Sequence, residues 1–212
     1  FRYRRIVMSY NNRRENVVYT DGACAGNGRN GATAGYGTYW GHDNHPDNER
    51  GSVSGPQTNN RAELTAALSA ADRARERGLD NLTVRTDSQL MCDSMNKYVE
   101  RWRDNGYKTA SGGDVKNRDL IEALDDHRSH MDLRFEYVPA HAGVRGNEAA
   151  DRMARQAASE ASSSRGGNYY DNNRGYQGSG YRGNGNGGSY RDDGYGGGYG
   201  RNNGNYGGNR YY

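Results

Sequence analysis

Four acidic residues have the local setting of a metal-binding site. They are Asp21, Glu63, Asp87 and Asp151. Asp21 and Asp87 each follow a predicted strand. Glu63 lies in the first turn of a predicted helix, and Asp151 lies in the last predicted helix. Because α/β sheets gather functional groups at the carboxyl ends of their strands, we expect these four carboxylates to meet there.

Carboxylates that meet in this way need a cation, because their mutual repulsion raises their pKa values unless a positive ion neutralises them. A set of oxygen ligands without His or Cys suits a hard divalent ion, Mg²⁺ or Mn²⁺, which also binds substrate phosphate. Two such ions can present a water nucleophile and hold the leaving oxygen. The four residues therefore indicate a nuclease that uses two metal ions.

Each acidic residue also has an ordinary structural explanation when it is considered alone. The explanations are a tight turn at Asp21-Gly22, a capping box from Asn60 to Glu63, a helix cap at Asp87 and an ion pair between Asp151 and Arg155. The sequence alone leaves these alternatives open for every residue taken singly.

Composition divides the 212 residues into three parts. Residues 165–212 contain 17 Gly, 10 Tyr, 9 Asn and 6 Arg and lack Leu, Ile, Val, Phe, Met and Trp, so they cannot build a core. We expect a disordered tail at residues 161–212 and a basic leader at residues 1–15. Residues 16–160 have the size of one domain, which excludes a multidomain enzyme.

Charge and cysteine content indicate the compartment. The formal charge is +4 over residues 1–15, −4 over 16–160 and +3 over 161–212, so an acidic domain lies between two basic arms. The chain has no run of 18 apolar residues, and only two cysteines favour a reducing compartment. We expect an intracellular monomer without a membrane partner, in the nucleus or cytoplasm. The Arg-rich leader makes the mitochondrion the alternative.

Hydrophobic periodicity predicts nine elements in the order β-β-β-α-β-α-α-β-α. The predicted strands are residues 17–20, 34–40, 51–54, 82–86 and 133–138. The first predicted helix has Glu63 in its first turn, an apolar face from residue 64 to 74 and a stop at Gly78. The other predicted helices are residues 88–97, 117–130 and 146–161. This order indicates an α/β layer fold that begins with antiparallel strands and continues with parallel ones. Residues 97–118, named the handle below, hold six basic and three acidic residues with interleaved aromatics, and predict a basic projection.

Four ordered segments resemble the signature blocks of type 1 ribonuclease H, and together they extend across residues 16–160. The segments are 19–24 (YTDGAC), 58–64 (TNNRAEL), 85–89 (RTDSQ) and 138–151 (VPAHAGVRGNEAAD). The resemblance implies a ribonuclease H-like α/β fold, with a five-stranded mixed sheet flanked by helices. It also implies an endonuclease that hydrolyses the RNA strand of RNA·DNA hybrids and leaves 3′-hydroxyl and 5′-phosphate ends.

The same resemblance assigns roles to five residues. The four carboxylates at positions 21, 63, 87 and 151 would bind two divalent ions, Mg²⁺ or alternatively Mn²⁺. His141 would lie on a mobile loop that assists proton transfer and product departure. The alternative for His141 is a solvated loop histidine without a role.

Hybrid recognition is also carried by the resemblance, in two groups of residues. Asn27, Asn59 and Asn60 match positions that contact the minor groove, where the 2′-hydroxyl distinguishes RNA from DNA. For the DNA strand, Tyr98 and Trp102 match sugar-packing positions of the handle, and Thr58 and Asn117 match a phosphate pocket. The alternative is helix capping for Asn59 and Asn60, and core packing for Trp102.

One position departs from the family pattern at the phosphate pocket. Pro56 stands where some family members have an Arg, which predicts weaker binding of DNA phosphate.

The tail resembles the RGG and prion-like segments of RNA-binding proteins, which suggests that it binds single-stranded RNA. An inert linker is the alternative. Two other functions compete with the ribonuclease: a catalytically dead platform whose tail binds nucleic acid, and a DNA-strand transferase with the same carboxylate logic. The four carboxylates disfavour the first, and Asn27, Asn59 and the handle disfavour the second.

Overall fold

The structure of the protein, a computed structural model, describes residues 15–166. The predicted tail beyond residue 166 and the leader before residue 15 lie outside the described residues. The elements in chain order are β1 Val17–Ala25, β2 Thr33–Tyr39, β3 Glu49–Ser52, α1 Asn59–Glu76, β4 Asn81–Thr86, α2 Gln89–Asp93, α3 Val99–Asp104, α4 Arg118–Arg128, β5 Asp132–Tyr137 and α5 Arg145–Gly166. A π-helical segment, Ser94–Tyr98, joins α2 to α3.

The five strands form one mixed sheet in the order β3-β2-β1-β4-β5. The pairs β1–β2 and β2–β3 are antiparallel, whereas β1–β4 and β4–β5 are parallel. This arrangement confirms the predicted five-stranded mixed sheet. It also brings the carboxyl ends of β4 and β5 to the same edge of the sheet.

Glycines in the sheet let the two longest helices pack closely on opposite faces. A Cβ atom at Gly22 would lie 2.2 Å from the backbone nitrogen of Glu63 in α1. A Cβ atom at Gly35 would lie 2.3 Å from the backbone nitrogen of Ala158 in α5. Gly22 pairs with Tyr36, the neighbour of Gly35 along β2, so the two glycines face opposite sides. The sheet is therefore flanked by helices, as expected.

The larger core lies on the α1 side of the sheet. Its fully buried strand residues are Val18, Leu82 and Val84, and they pack with alanines of α1 and with Leu124 of α4. A smaller cluster on the other side joins Tyr39 of β2 to Ala149 and Ala150 of α5. Alanine dominates both helix faces because larger side chains would hold the helices away from the sheet.

Three predicted boundaries were wrong. β1 continues through Asp21 to Ala25 instead of ending at residue 20, because Gly22 packs against α1 and does not form a turn. The helix predicted at residues 88–97 continues through the π-helical segment to Asp104. Helix α5 extends to Gly166, where the hydroxyls of Ser163 and Ser164 donate to carbonyls one turn earlier. Within residues 15–166, no helix is long and apolar enough to cross a membrane.

Candidate active site

Asp21 lies in the middle of the central strand β1, and its side chain is almost completely buried. The backbone N–H of Gly22 donates to its Oδ1 at 2.8 Å. The predicted tight turn at Asp21-Gly22 is therefore absent. The central strand holds the carboxylate on a backbone that pairs with Gly37 of β2, just beyond the last pair of β1 with β4 at Tyr19.

Glu63 reaches the same place from α1. It lies in the second turn of that helix and not in the first, because the helix begins at Asn59 with Thr58 as its cap. The Thr58 hydroxyl accepts the N–H of Arg61, so the predicted capping box from Asn60 does not form. The missing Cβ of Gly22 allows α1 to approach β1 and brings buried Glu63 beside Asp21.

Asp87 follows directly after β4. The cap of the next helix is Ser88, whose hydroxyl accepts the N–H of Met91, so the alternative reading of Asp87 as a helix cap was wrong. The side-chain amide of Asn147, on α5, donates to Asp87 Oδ2 at 2.9 Å. Asp87 is only partly buried.

The carboxylates of Asp21, Glu63 and Asp87 each offer an oxygen, and these oxygens lie within 4.8 Å of one another. Among the described residues, they form the one group of three or more acidic, His or Cys side chains with this spacing. Glu63 Oε2 is buried and has no hydrogen-bond partner. An all-oxygen donor set with an unsatisfied buried oxygen fits a hard divalent cation.

The same crowding changes the protonation of the buried carboxylates. Burial, followed by the charge of Asp87, raises the pKa of Asp21 to about 7. Burial, followed by the charges of Asp21 and Asp87, raises the pKa of Glu63 well above its ordinary value. In both residues the ionised form is disfavoured, so a divalent cation that neutralises the cluster would compete with protons for it.

The fourth predicted carboxylate lies beside this group. Asp151, in α5, accepts from Arg155 at 2.5 Å, which is the i,i+4 pair given above as its ordinary explanation. It is not one of the three clustered residues, yet its charge contributes to the raised pKa of Asp21. The structure therefore places Asp151 near the site with its carboxylate engaged by Arg155.

His141 lies outside the carboxylate group, on the loop between β5 and α5. Its side chain is exposed, and its backbone adopts a left-handed conformation with φ of 52°. Gly143, two residues later, is also left-handed, with φ of 77°. Left-handed backbone is uncommon for residues other than glycine, so the path of this loop is unusual at the histidine itself.

A sequence profile of the RNase H family matches residues 13–159. The chain belongs to the RNase H family. This result confirms the resemblance found in the four signature segments, and it covers the carboxylate cluster, the handle and the His141 loop. Members of this family use divalent metal ions, which agrees with the carboxylate cluster.

Relatives and solved structures agree with the family. The chain is 41% identical over 145 residues to Ribonuclease H1 of Rattus norvegicus, covering 68% of this chain and 50% of that protein. It is 37% identical over 144 residues to a Ribonuclease H of Francisella philomiragia, covering 68% of this chain and 91% of that protein. The chain thus spans half the length of its mammalian relative.

The structure also resembles that of LC9-RNase H1, which is described as a type 1 RNase H with the type 2 active-site motif. The two are 28% identical, with a TM-score of 0.55, and the match covers 69% of this chain and 73% of that one. The RNase H fold of residues 15–166 is therefore supported by both sequence and structure.

Two of the predicted groove residues meet at an exposed surface of this RNase H domain. The backbone N–H of Asn59 donates to Asn27 Oδ1 at 3.3 Å, which joins the start of α1 to the loop after β1. Asn60 is exposed on the first turn of α1. Because Thr58 caps this helix, the proposed capping role of Asn59 and Asn60 was wrong, and both side-chain amides remain exposed.

The predicted phosphate-pocket residues are connected by a residue that sequence reasoning missed. Arg61 donates from its backbone to Thr58 Oγ1 at 3.3 Å and from its guanidinium to Asn117 Oδ1 at 3.4 Å. Its guanidinium also pairs with Asp119 through two hydrogen bonds and donates to the Ser54 carbonyl at 2.7 Å. A positive charge is therefore already present between Thr58 and Asn117, although Asp119 neutralises it.

The handle brings its two predicted sugar-packing residues together. The rings of Tyr98 and Trp102 lie 5.6 Å apart between centroids, and both side chains are partly exposed. Trp102 also packs against the larger core, so the core-packing alternative is partly correct.

The handle is less basic in effect than its sequence suggests, because most of its cations are ion-paired. The pairs are Lys97–Asp93, Arg103–Asp125, Lys108–Asp114 and Arg118–Glu122. Arg101 and Lys116 take part in none of the ion pairs of the described residues. These two side chains are the free cations of the handle.

Asn147 is the second functional residue that sequence reasoning missed. It is 2% exposed and contacts Asp87, yet it was quoted only as part of a signature segment. Its position four residues before Asp151 puts both side chains on one face of α5, and that spacing was the available signal.

Proposed function

We propose that this protein is a ribonuclease H, an endonuclease that hydrolyses the RNA strand of RNA·DNA hybrids. The observation that carries the proposal is the buried group of Asp21, Glu63 and Asp87, with one unsatisfied oxygen, within a matched RNase H domain. The names of its relatives, Ribonuclease H1 and Ribonuclease H, support the same activity. The expected products carry 3′-hydroxyl and 5′-phosphate ends.

The carboxylates suit two divalent ions, Mg²⁺ or alternatively Mn²⁺, which would supply an activated water and charge stabilisation for the leaving oxygen. Asp21, Glu63 and Asp87 would hold these ions through carboxylate oxygens that the fold already groups together. Asp151 would join them by leaving its ion pair with Arg155, whose side chain is 62% exposed, whereas that of Asp151 is 17% exposed. The exposed imidazole of His141 would accept or donate a proton at a ring nitrogen.

Recognition of the hybrid would use both sides of this site. The exposed amides of Asn27, Asn59 and Asn60 can hydrogen-bond a 2′-hydroxyl, which acts as donor and acceptor and is absent from DNA. Tyr98 and Trp102 offer a pair of aromatic faces to deoxyribose. Thr58 and Asn117 would hold a phosphate beside Arg61.

The chain organisation remains part of this proposal, with the domain boundary moved from residue 160 to the end of α5 at Gly166: a basic leader at 1–15, a ribonuclease H domain from residue 16, and a tail rich in Gly, Tyr, Asn and Arg. The six Arg and ten Tyr of residues 165–212 support binding of the tail to single-stranded RNA, through phosphate contacts and base stacking. An intracellular monomer, located in the nucleus, cytoplasm or mitochondrion, completes the proposal.

Product analysis on matched duplexes tests the proposed activity. One labelled sequence is prepared as an RNA·DNA hybrid, a DNA duplex and an RNA duplex, and each is incubated with the full chain and Mg²⁺. The expected result is internal cleavage of the RNA strand in the hybrid alone. Absence of cleavage in all three would favour a catalytically inactive binding protein, and strand joining on the DNA duplex would favour a transferase.

A further inference from the structure

Asn147 contacts the carboxylate cluster from the first turns of α5. Its side-chain amide nitrogen, Nδ2, lies 2.9 Å from Asp87 Oδ2, and the residue is 2% exposed. An ionised carboxylate only accepts hydrogen bonds, so the group that faces Asp87 must be the NH₂ group of Asn147. The amide oxygen, Oδ1, is buried without a hydrogen-bond partner.

The backbone that carries Asn147 has little freedom to move. A Cβ atom at the preceding residue, Gly146, would lie 2.3 Å from the ring of Tyr19 in β1. The start of α5 therefore rests directly on this aromatic ring. The same helix lies against Gly37 of β2, where a Cβ atom would be 2.6 Å from the Ala150 carbonyl oxygen. Asn147 is thus fixed to the sheet on both sides of its position.

Asp87 itself needs such a partner. Its backbone follows the last residue of β4, while Ser88 caps α2, so neither neighbour holds the carboxylate. The hydrogen bond from Asn147 restricts rotation of this carboxylate, one oxygen of which lies within 4.8 Å of oxygens of Asp21 and Glu63. Groups that orient a ligand in this way contribute strongly to metal affinity.

We infer that Asn147 is a positioning residue that orients Asp87 as a metal ligand. The inference rests on the proposed metal centre and adds a residue to it. Asn147 contacts neither the reacting atoms nor the ion in this role, and it acts through Asp87 alone. The effect should therefore be visible in metal binding without any nucleic acid.

Calorimetric titration of the full chain with MnCl₂ tests this role, using Asn147→Ala, Asn147→Leu and wild type. Both variants remove the donor without adding a charge, and Asn147→Leu also retains the approximate shape of the side chain, so it remains informative if Asn147→Ala does not fold. Gln156→Ala, also in α5, is the matched control, since Gln156 donates to Glu160 at the same distance, 2.9 Å, but at an exposed site.

We expect both Asn147 variants to bind Mn²⁺ about 10- to 100-fold more weakly than wild type, with a melting temperature that confirms folding. Their kcat on a hybrid should fall while KM stays near the wild-type value, and Gln156→Ala should match wild type in both assays. Wild-type Mn²⁺ affinity in folded Asn147→Ala or Asn147→Leu would overturn the positioning role alone. Failure of the wild type itself to bind Mn²⁺ and to cleave hybrid would overturn the proposed function as well.

Discussion

The carboxylate cluster and the handle differ in how the fold treats charge. In the cluster, like charges are held together on buried, rigid elements, and Glu63 Oε2 remains without a partner. In the handle, four of the six cations pair with nearby acidic residues, of which Asp125 alone is buried. The fold therefore concentrates acidic groups in the cluster, whereas it neutralises most of the positive charge of the handle.

Physical reasons explain the contrast. Burying like charges lowers the stability of the fold, as the raised pKa of Asp21 shows. Such a cost persists where the binding of a ligand offsets it. Exposed ion pairs contribute about 0–1 kcal/mol each to stability, so they reduce the free charge of a surface with little effect on folding. We therefore expect substitutions in the cluster to have large, specific effects and substitutions in the handle to have small, salt-dependent ones.

The largest expected effect is that of Asp87→Asn. The change keeps the shape of the side chain and removes the charge that would hold a metal ion, so cleavage of hybrid should fall by about 1,000-fold while hybrid binding persists. Steady-state cleavage and a binding titration measure the two quantities. Asp132→Asn, at an exposed carboxylate paired with Arg134, is the control and should behave as wild type. Cleavage within tenfold of wild type in Asp87→Asn would refute the carboxylate site.

The second prediction concerns pH and stability without metal. The pKa of Asp21 is about 7 in the folded domain and near 3.8 when unfolded, so the folded state holds a proton that the unfolded state has released between these values. This contribution to stability is therefore present below pH 4 and is lost as pH rises toward 7. Asp21→Asn should remove this loss of stability at higher pH, because the asparagine side chain does not ionise.

Melting curves in EDTA measure this effect. At pH 8, Asp21→Asn should melt above wild type, by about 3 °C for each kcal/mol relieved, and at pH 4 the difference should be small. Saturating Mg²⁺ should reverse the order, because it stabilises only the protein with the intact site. The same difference at both pH values would show that the cluster is not strained by charge.

The third prediction compares a free and a paired cation of the handle. Arg101→Ala should weaken hybrid binding and reduce the slope of log affinity against log salt by about 0.9, the value for one lost phosphate contact. Lys108→Ala removes the same charge, but Lys108 is already paired with Asp114, so its slope should change less. Binding titrations at several salt concentrations distinguish them. Equal slopes would mean that pairing does not decide which handle cations reach the substrate.

The smallest expected effect is a gain. Pro56→Arg would add a guanidinium beside the phosphate pocket, which should tighten hybrid binding by on the order of 1 kcal/mol at low salt and less at high salt. Arg61 already lies in this region with Asp119 as its partner, which limits the gain. Affinity for an RNA duplex, measured in parallel, should change little. An equal gain for both duplexes would indicate a general charge effect.

Much of the fold could be predicted because it follows from local patterns. The apolar spacing of α1 and the β-branched runs of β4 and β5 gave their positions to within a few residues, and the order of elements gave the mixed sheet. The path of β1 could not be predicted, because Gly22 is explained by contact with α1, which lies about forty residues further along the chain. Local chemistry favours a turn there, and tertiary packing overrides it.

The site shows the same division. The signature segments identified Asp21, Glu63 and Asp87 as candidate metal ligands, and the fold places their carboxylates together. Side-chain pairing could be predicted only in part: the i,i+4 spacing offered the Asp151–Arg155 pair as an alternative, whereas the pairing of Arg103 with Asp125 joins two different helices and does not follow from spacing. Asn147 was missed because an asparagine in a helix has many ordinary roles, and only its buried contact with Asp87 distinguishes it.

The central claim is that the buried carboxylates form a divalent-metal centre that cleaves RNA paired to DNA. The most direct measurement is the initial rate of RNA cleavage in a labelled hybrid, with metal-depleted full chain, as Mg²⁺ is added from zero. The account predicts no cleavage in EDTA, a rate that rises with Mg²⁺ to saturation, and fragments with 3′-hydroxyl and 5′-phosphate ends. Cleavage that proceeds equally in EDTA, or fragments with 2′,3′-cyclic phosphate ends, would contradict it.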